Sequence, residues 1–221
     1  MCGKFTQMAS WRRVHEYSRF FSKPPEDTVE TVTPMRFAQV ICLNSEGKRE
    51  VREMRWGLAD RRAKSPGDRP KHIHARAETI DELPSFAEAF AHQRGLIVVN
   101  TFNEGEELTP TKTRQHVVTP RDGKPLAIAV IWERWIHRNE DELLTFAMVT
   151  TPANLLISKI TDRMPAIIAP EDWAVWLGET QSPLIDVKAL LRPYEGDWDM
   201  APQPKAPSPP VPGKPVQPDL F

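Results

Sequence analysis

Cysteine is nearly missing from this chain: two of 221 residues, at positions 2 and 42. So few exclude a disulfide framework, and two thiols forty residues apart are expected to stay reduced. Long apolar runs are also missing. None approaches the ~20 residues that span a bilayer, and no basic stretch leads into an apolar one at the N-terminus. The expected location is therefore the cytoplasm, away from membranes. An excess of charge of one sign is absent too, the net being −1. The charge is unevenly spread, however: residues 48–76 carry ten Lys/Arg against four Asp/Glu, and 171–199 carry seven acids against two bases. These are either two solvated faces of opposite sign or a basic face for a polyanion such as nucleic acid.

What is present is the makeup of a soluble globular protein, with 40% hydrophobic and 27% charged residues. SWRRVHEYSRFF (10–21) spaces Trp11, Val14 and Phe21 for a helix behind a Ser10 cap. RFAQVICL (36–43) and REVREMRW (49–56) flank the turn-like NSEGK and predict a β-hairpin. SFAEAF (85–90) has Ser85 and Glu88 at capping-box spacing. LIVVNTF (96–102) predicts one buried strand, and QHVVT and LAIAVIW predict a hairpin about Asp122-Gly123. Strands are also predicted at LLTFAMVTT (143–151) and PAIIA (165–169). A helix over EDWAVWL is capped by Gly178, and another follows Ser182 and Pro183. Many short strands with a few helices imply an α+β domain around a curved antiparallel sheet. From Ala201 onward, eight of 21 residues are proline, which predicts a solvated, disordered tail over 201–221 after a domain at 2–200.

Four places carry reactive groups. Cys2 follows the initiator methionine, and cysteine is small enough for Met1 to be trimmed. The product is a 1,2-aminothiol whose amine and thiol titrate near ~8 and ~8.5 in model compounds. Such a pair closes a thiazolidine ring with an aldehyde; the thiol alone can instead attack an acyl group. Position alone favours an inert cysteine. Cys42 lies in an alternating strand and reads as core. Glu104 follows the strand 96–102, either as a general acid/base of raised pKa or within a solvated acidic loop. His72 and His74 lack partners at ligand spacing, so no metal is expected, and no cofactor. TDRMP (161–165) is by itself a surface turn.

In order, MCGKFTQ, MRWGLAD, HARAET, TFNEGEE, DGKPLAIAVIWERW, TFAMVTTPAN, TDRMPAII and EDWAVWL resemble the SRAP family, the SOS response-associated peptidase or abasic-site-processing domain. The resemblance runs from residue 2 to about 194. It implies a single α+β domain with a barrel-like antiparallel core and flanking helices. It also implies single-stranded DNA carrying abasic sites as the partner, in the DNA damage response. Cys2 would form a covalent thiazolidine crosslink with the sugar aldehyde. Glu104 would be the general acid/base, and Arg76 and Arg163 would hold flanking phosphates.

The chain departs from the family pattern at two polar positions: His74 stands where an Asn is usual and Thr161 where a His is usual. One expectation is that His74 takes over the proton transfers that Thr161 cannot make; the other is a site that only binds. Lys4 replaces a usual arginine, and the aromatic turn after Trp56-Gly57 becomes basic, with Arg61 and Arg62 offering charge. The competing functions are a Cys2-dependent thiol autopeptidase or hydrolase and a non-catalytic DNA-binding adaptor. The terminal QPDLF resembles a sliding-clamp-binding peptide, with Gln217, Leu220 and Phe221 as anchors on a flexible arm. That makes the replication clamp an expected partner and the nucleoid an expected site of action.

Overall fold

The computed structural model describes residues 2–9, 28–67, 72–136 and 142–204. In chain order the strands begin with β1 (Lys4–Ala9), β2 (Thr28–Val32), β3 (Phe37–Leu43), β4 (Arg49–Trp56) and β5 (His74–Arg76). After helix α1 (Ala87–His92) come β6 (Arg94–Val99), β7 (Thr101–Thr109), β8 (Lys112–Pro120), β9 (Leu126–Ile136), β10 (Glu142–Pro152) and β11 (Arg163–Pro165). Helices α2 (Trp173–Leu177) and α3 (Leu184–Ala189) precede β12 (Trp198–Pro202). The expected helix at 10–21 and the clamp-peptide residues Gln217, Leu220 and Phe221 lie outside the described residues.

Two sheets form. An antiparallel one runs β12-β8-β7-β1-β2. The other closes on itself, because β10 pairs with β4 at one edge and with β9 at the other around the path β4-β3-β6-β9. Closure removes the free edges that an open sheet would expose. The expectation of a barrel-like core with few helices holds, but the core is not wholly antiparallel. β10 runs parallel to both β4 and β5, and the intervening chain between those partners supplies the crossover that parallel pairing requires.

Alternation along the closed sheet sends side chains to two faces. Ala127, Ala129 and Ile131 face a core shared with the helical side chains Phe90, Trp176 and Val187. Ile128 and Val130 face a second core with Cys2, Phe5, Phe102 and Val118 of the other sheet. Buried Gln7 joins the sheets, its amide donating to the Gln39 carbonyl at 2.9 Å and accepting from the Gln39 N–H at 3.0 Å.

The hairpin expected at 36–56 forms as β3 and β4, and Gly178 caps α2 at φ +94°. Three expectations are corrected. LIVVNTF is two strands, because the chain crosses between sheets at Asn100, whose N–H donates to Thr6. β8 and β9 flank the Asp122-Gly123 turn without pairing, each finding partners in a different sheet. The Ser85 capping box does not form: α1 starts after Phe86, and the Leu83 carbonyl takes the N–H groups of Phe86 and Ala87. Strand β12 runs across the boundary expected after residue 200. Ala201 and Pro202 pair with Val117 and His116, and the Gln203 N–H donates to Gln115.

Gly95 of β6 sits between β3 and β9. A Cβ there would lie 2.7 Å from Val40 Cγ1 and 3.0 Å from the Ile41 carbonyl oxygen. Gly95→Ala should therefore destabilise the fold by about 1–3 kcal/mol. A thermal melt should show this as a fall of roughly 2–4 °C per kcal/mol in a chain of this size.

Candidate active site

The pairing of β1 with β7 sets Lys4 opposite Asn103, so the residues before Lys4 run alongside Glu104. Cys2 is buried there, and three groups hold it. Its backbone N–H lies close enough to the Glu104 carboxylate to favour the charged form. Its carbonyl lies 2.6 Å from His74 Nε2. Its thiol donates to the Lys4 carbonyl at 3.4 Å. A carbonyl only accepts, so His74 carries its proton on Nε2 and leaves Nδ1 as an acceptor.

Glu104 is not in a solvated loop, as one reading of the sequence had it. It lies within β7 and is fully buried, because Phe102 before it and Val118 across from Phe102 belong to the inter-sheet core. Burial pushes its carboxyl up to about 7 against the opposing pull of the amino terminus and the Cys2 N–H. Burial, and then the Glu104 charge, push the Cys2 thiol well above the usual thiol range. Burial lowers His74 to about 4, with Arg163 and the amino terminus adding to the effect and the Cys2 carbonyl opposing it. Near neutrality the thiol and the imidazole thus favour their neutral forms, while Glu104 divides between its acid and its carboxylate.

β5 and β11 reach this site by pairing with β10, where Thr150 stands opposite both Arg76 and Pro165. Arg163 is buried. Its fork is bidentate to Glu78, with Nη2 2.9 Å from Glu78 Oε2 and 2.7 Å from the Thr150 carbonyl. Its two terminal nitrogens are thus engaged by Glu78 and Thr150 within the protein. Arg163 fixes β11 against the turn after β5. Arg76 is exposed and available to an anion. Thr161 is half-buried at the end of the turn entering β11, with its N–H bonded to the Ile157 carbonyl; the adjacent Asp162 is exposed and near enough to raise Glu104 slightly.

The Lys4 ammonium points to Gln203 Oε1 at 3.4 Å, and the Asn103 amide donates to the same oxygen at 3.2 Å. Arg61 and Arg62 are elsewhere. They line a cavity of about 360 Å³ with His72, Glu88 and the buried Glu133, which shares no residue with the Cys2 site; Arg61 pairs with Glu88 at 3.5 Å. Among the described residues, no group of three or more His, Cys, Asp or Glu side chains is arranged to hold a metal ion. Sequence reasoning missed Asn103, Gln203 and His116, a buried histidine directly opposite Glu104 on β8. The only signal for His116 was its alternation with Val118, and finding Glu104 beside it required the strand register.

The family model described as SOS response associated peptidase (SRAP) matches residues 1–206. This chain belongs to the SRAP family. An abasic site processing protein of Bacillus subtilis, YoqW, is 30% identical over 200 residues, covering 89% of each chain. The Escherichia coli abasic site processing protein YedK is 29% identical over 124 residues, 55% of this chain and 52% of its own. A solved structure from Bacteroides thetaiotaomicron shares the fold with a TM-score of 0.77 at 24% identity, covering 91% of each chain. One from Bordetella bronchiseptica gives 0.76 at 22%, covering 92% of this chain and all of its own.

The Glu104 shift is also a stability statement. Its folded value near 7 exceeds the ordinary 4.5, so the folded chain keeps a proton where the unfolded chain has lost it. Stability therefore falls as pH rises across that window, and the whole cost is present above it. Glu104→Gln removes the charge that burial penalises. In a chain extended at its N-terminus, so that Cys2 keeps its peptide bond, this variant should be about 1–3 kcal/mol more stable than wild type at about pH 8. The gain should vanish near pH 4.5. Urea melts at the two pH values check both.

Proposed function

We propose that this SRAP protein processes abasic sites by capturing their sugar aldehyde covalently at Cys2 once Met1 is removed. The observation that carries the reading is the placement of the buried Glu104 carboxyl, whose value is about 7, beside the backbone nitrogen of Cys2. Trimming Met1 converts that amide nitrogen into a primary amine next to a group suited to take and return a proton at neutral pH.

The chemistry balances without a redox partner. The amine adds to the aldehyde carbonyl to give a carbinolamine. Glu104 takes the nitrogen's proton and delivers it to the hydroxyl, which leaves as water and produces an imine. The thiol then adds across the C=N bond, its proton passes to nitrogen, and the thiazolidine ring closes. One water is lost overall. The bond from His74 to the Cys2 carbonyl holds the residue in place during these steps. A thiol pushed above its usual range is a poor free thiolate. This favours attack by the amine first and weighs against a simple thiol peptidase or hydrolase.

The DNA would run past Arg76 and Lys4, held by phosphate contacts, with the lesion carried on a single strand so that its sugar can enter the site. The tail ending in Gln217, Leu220 and Phe221 would tether this activity to the replication clamp, raising its local concentration at exposed template.

Incubation with an abasic single-stranded oligonucleotide, read by denaturing gel and intact mass, tests the reading. Wild type should give a stable adduct equal to protein plus DNA less one water. Cys2→Ala should give none of this stable product. Cys2→Ser should give only a Schiff base that borohydride traps. Glu104→Gln should slow the reaction by about 10²-fold or more. An adduct that survives Cys2→Ala, or a mature protein that retains Met1, would end this account. In a separate titration, Arg76→Ala should weaken DNA binding and reduce the salt slope by about one.

A further inference from the structure

We infer that His116, backed by Glu106, is a positioning residue that passes protons between Glu104 and solvent, a task that Thr161 cannot perform at the position where the family pattern has a histidine. This rests on the reading of Cys2 and Glu104 given above. Glu104 and His116 are directly paired across β7 and β8. Residues opposite each other in an antiparallel pair share a face, with Cβ atoms about 4.5–5.5 Å apart. One step inward on that face is the fully buried Phe102–Val118 pair, and one step outward is Glu106–Arg114. The Glu106 and Arg114 side chains are 27% and 52% exposed and 3.5 Å apart. The face is therefore a ladder from core to water, with His116 on its middle rung.

His116 is 7% exposed, and its Nε2 lies 2.8 Å from Glu106 Oε2. Donation of Nε2–H to that carboxylate leaves Nδ1 as the acceptor of the neutral ring. His74 cannot serve equally, because its Nε2 is committed to the Cys2 carbonyl and burial holds it neutral. The charged and titratable groups around the relay are Glu104 and Glu106 of β7, Arg114 of β8, Asp162 before β11 and the Cys2 thiol. β12 sets the uncharged Pro202 opposite His116.

The step that needs an exit is deprotonation of the mature amine. It begins as an ammonium and must lose one proton before it can attack an aldehyde. That proton passes from nitrogen to the Glu104 carboxylate, and from the Glu104 hydroxyl to His116 Nδ1. The Nε2 proton then moves to Glu106 and on to water. Only N–H and O–H bonds change.

The test uses the full chain with Met1 removed and abasic single-stranded DNA, with initial crosslinking rates measured between about pH 6 and 8. His116→Gln keeps an N–H for Glu106 but cannot accept and pass on a proton. It should crosslink about ten-fold more slowly with DNA affinity unchanged, a smaller loss than the ~10²–10⁴ of a group acting directly. His116→Ala should be slowed similarly and regain rate with added imidazole, whereas Cys2→Ala should not respond. Wild-type rate and pH profile in His116→Gln would overturn the relay, and so would a slowed His116→Ala that imidazole fails to rescue. The absence of any Cys2-dependent adduct from wild type would instead bring down the underlying reading, and the relay with it.

Discussion

The backbone of Cys2 lies between two ionisable side chains, with Glu104 beside its nitrogen and His74 bonded to its carbonyl. Much of the architecture exists to bring those two side chains together. Glu104 arrives because β7 pairs with β1, and His74 because β5 pairs in parallel with β10. The first pairing belongs to one sheet and the second to the other. The site is therefore a seam, and Gln7 pins the same seam farther along β1 through two hydrogen bonds to Gln39. A side chain placed in either sheet alone could hold only one end of Cys2.

Burial in the seam acts in one direction on all three groups. Desolvation penalises charge, so it raises the carboxyl and the thiol and lowers the imidazole. Glu104, near 7, can both take and return a proton, a neutral His74 offers Nε2–H without leaving a second charge in the core, and the thiol stays protonated until an electrophile reaches it. The same low polarity would be ruinous for an unpaired guanidinium, and Arg163 meets it with Glu78 and the Thr150 carbonyl. An arginine in a motif that is exposed in a sequence-based reading becomes, inside the fold, the brace for the strand that carries it.

Legibility in the sequence followed locality. The β3–β4 hairpin and the α2 cap at Gly178 depend on neighbours within a few residues, and both were readable. Cys2 stood out by its position, although position alone left an inert cysteine open, and Glu104 and His74 stood out by the order of motifs. Pairings were not. An apolar run such as LIVVNTF looks continuous although Asn100 hands the chain from one sheet to the other. An Asp-Gly turn looks like a hairpin although its flanking strands part company. His116 was invisible for the same reason, since nothing in QHVVT says that Glu104 lies across from it.

The replacement of asparagine by His74 makes chemical sense once its partner is known. What the site asks of that position is an N–H directed at the Cys2 carbonyl. An amide supplies one, and so does a neutral imidazole protonated on Nε2. The larger ring packs edge-on against Trp56, with centroids 6.0 Å apart, so it is held sterically as well as by its hydrogen bond. The substitution thus conserves a donor rather than a residue. Threonine at 161 has no group that titrates near neutrality, which separates the two departures: one keeps an N–H donor, and the other keeps no titratable group. The titratable side chains buried on one face, Glu104 and His116, come from β7 and β8, two strands that the sequence alone does not bring together.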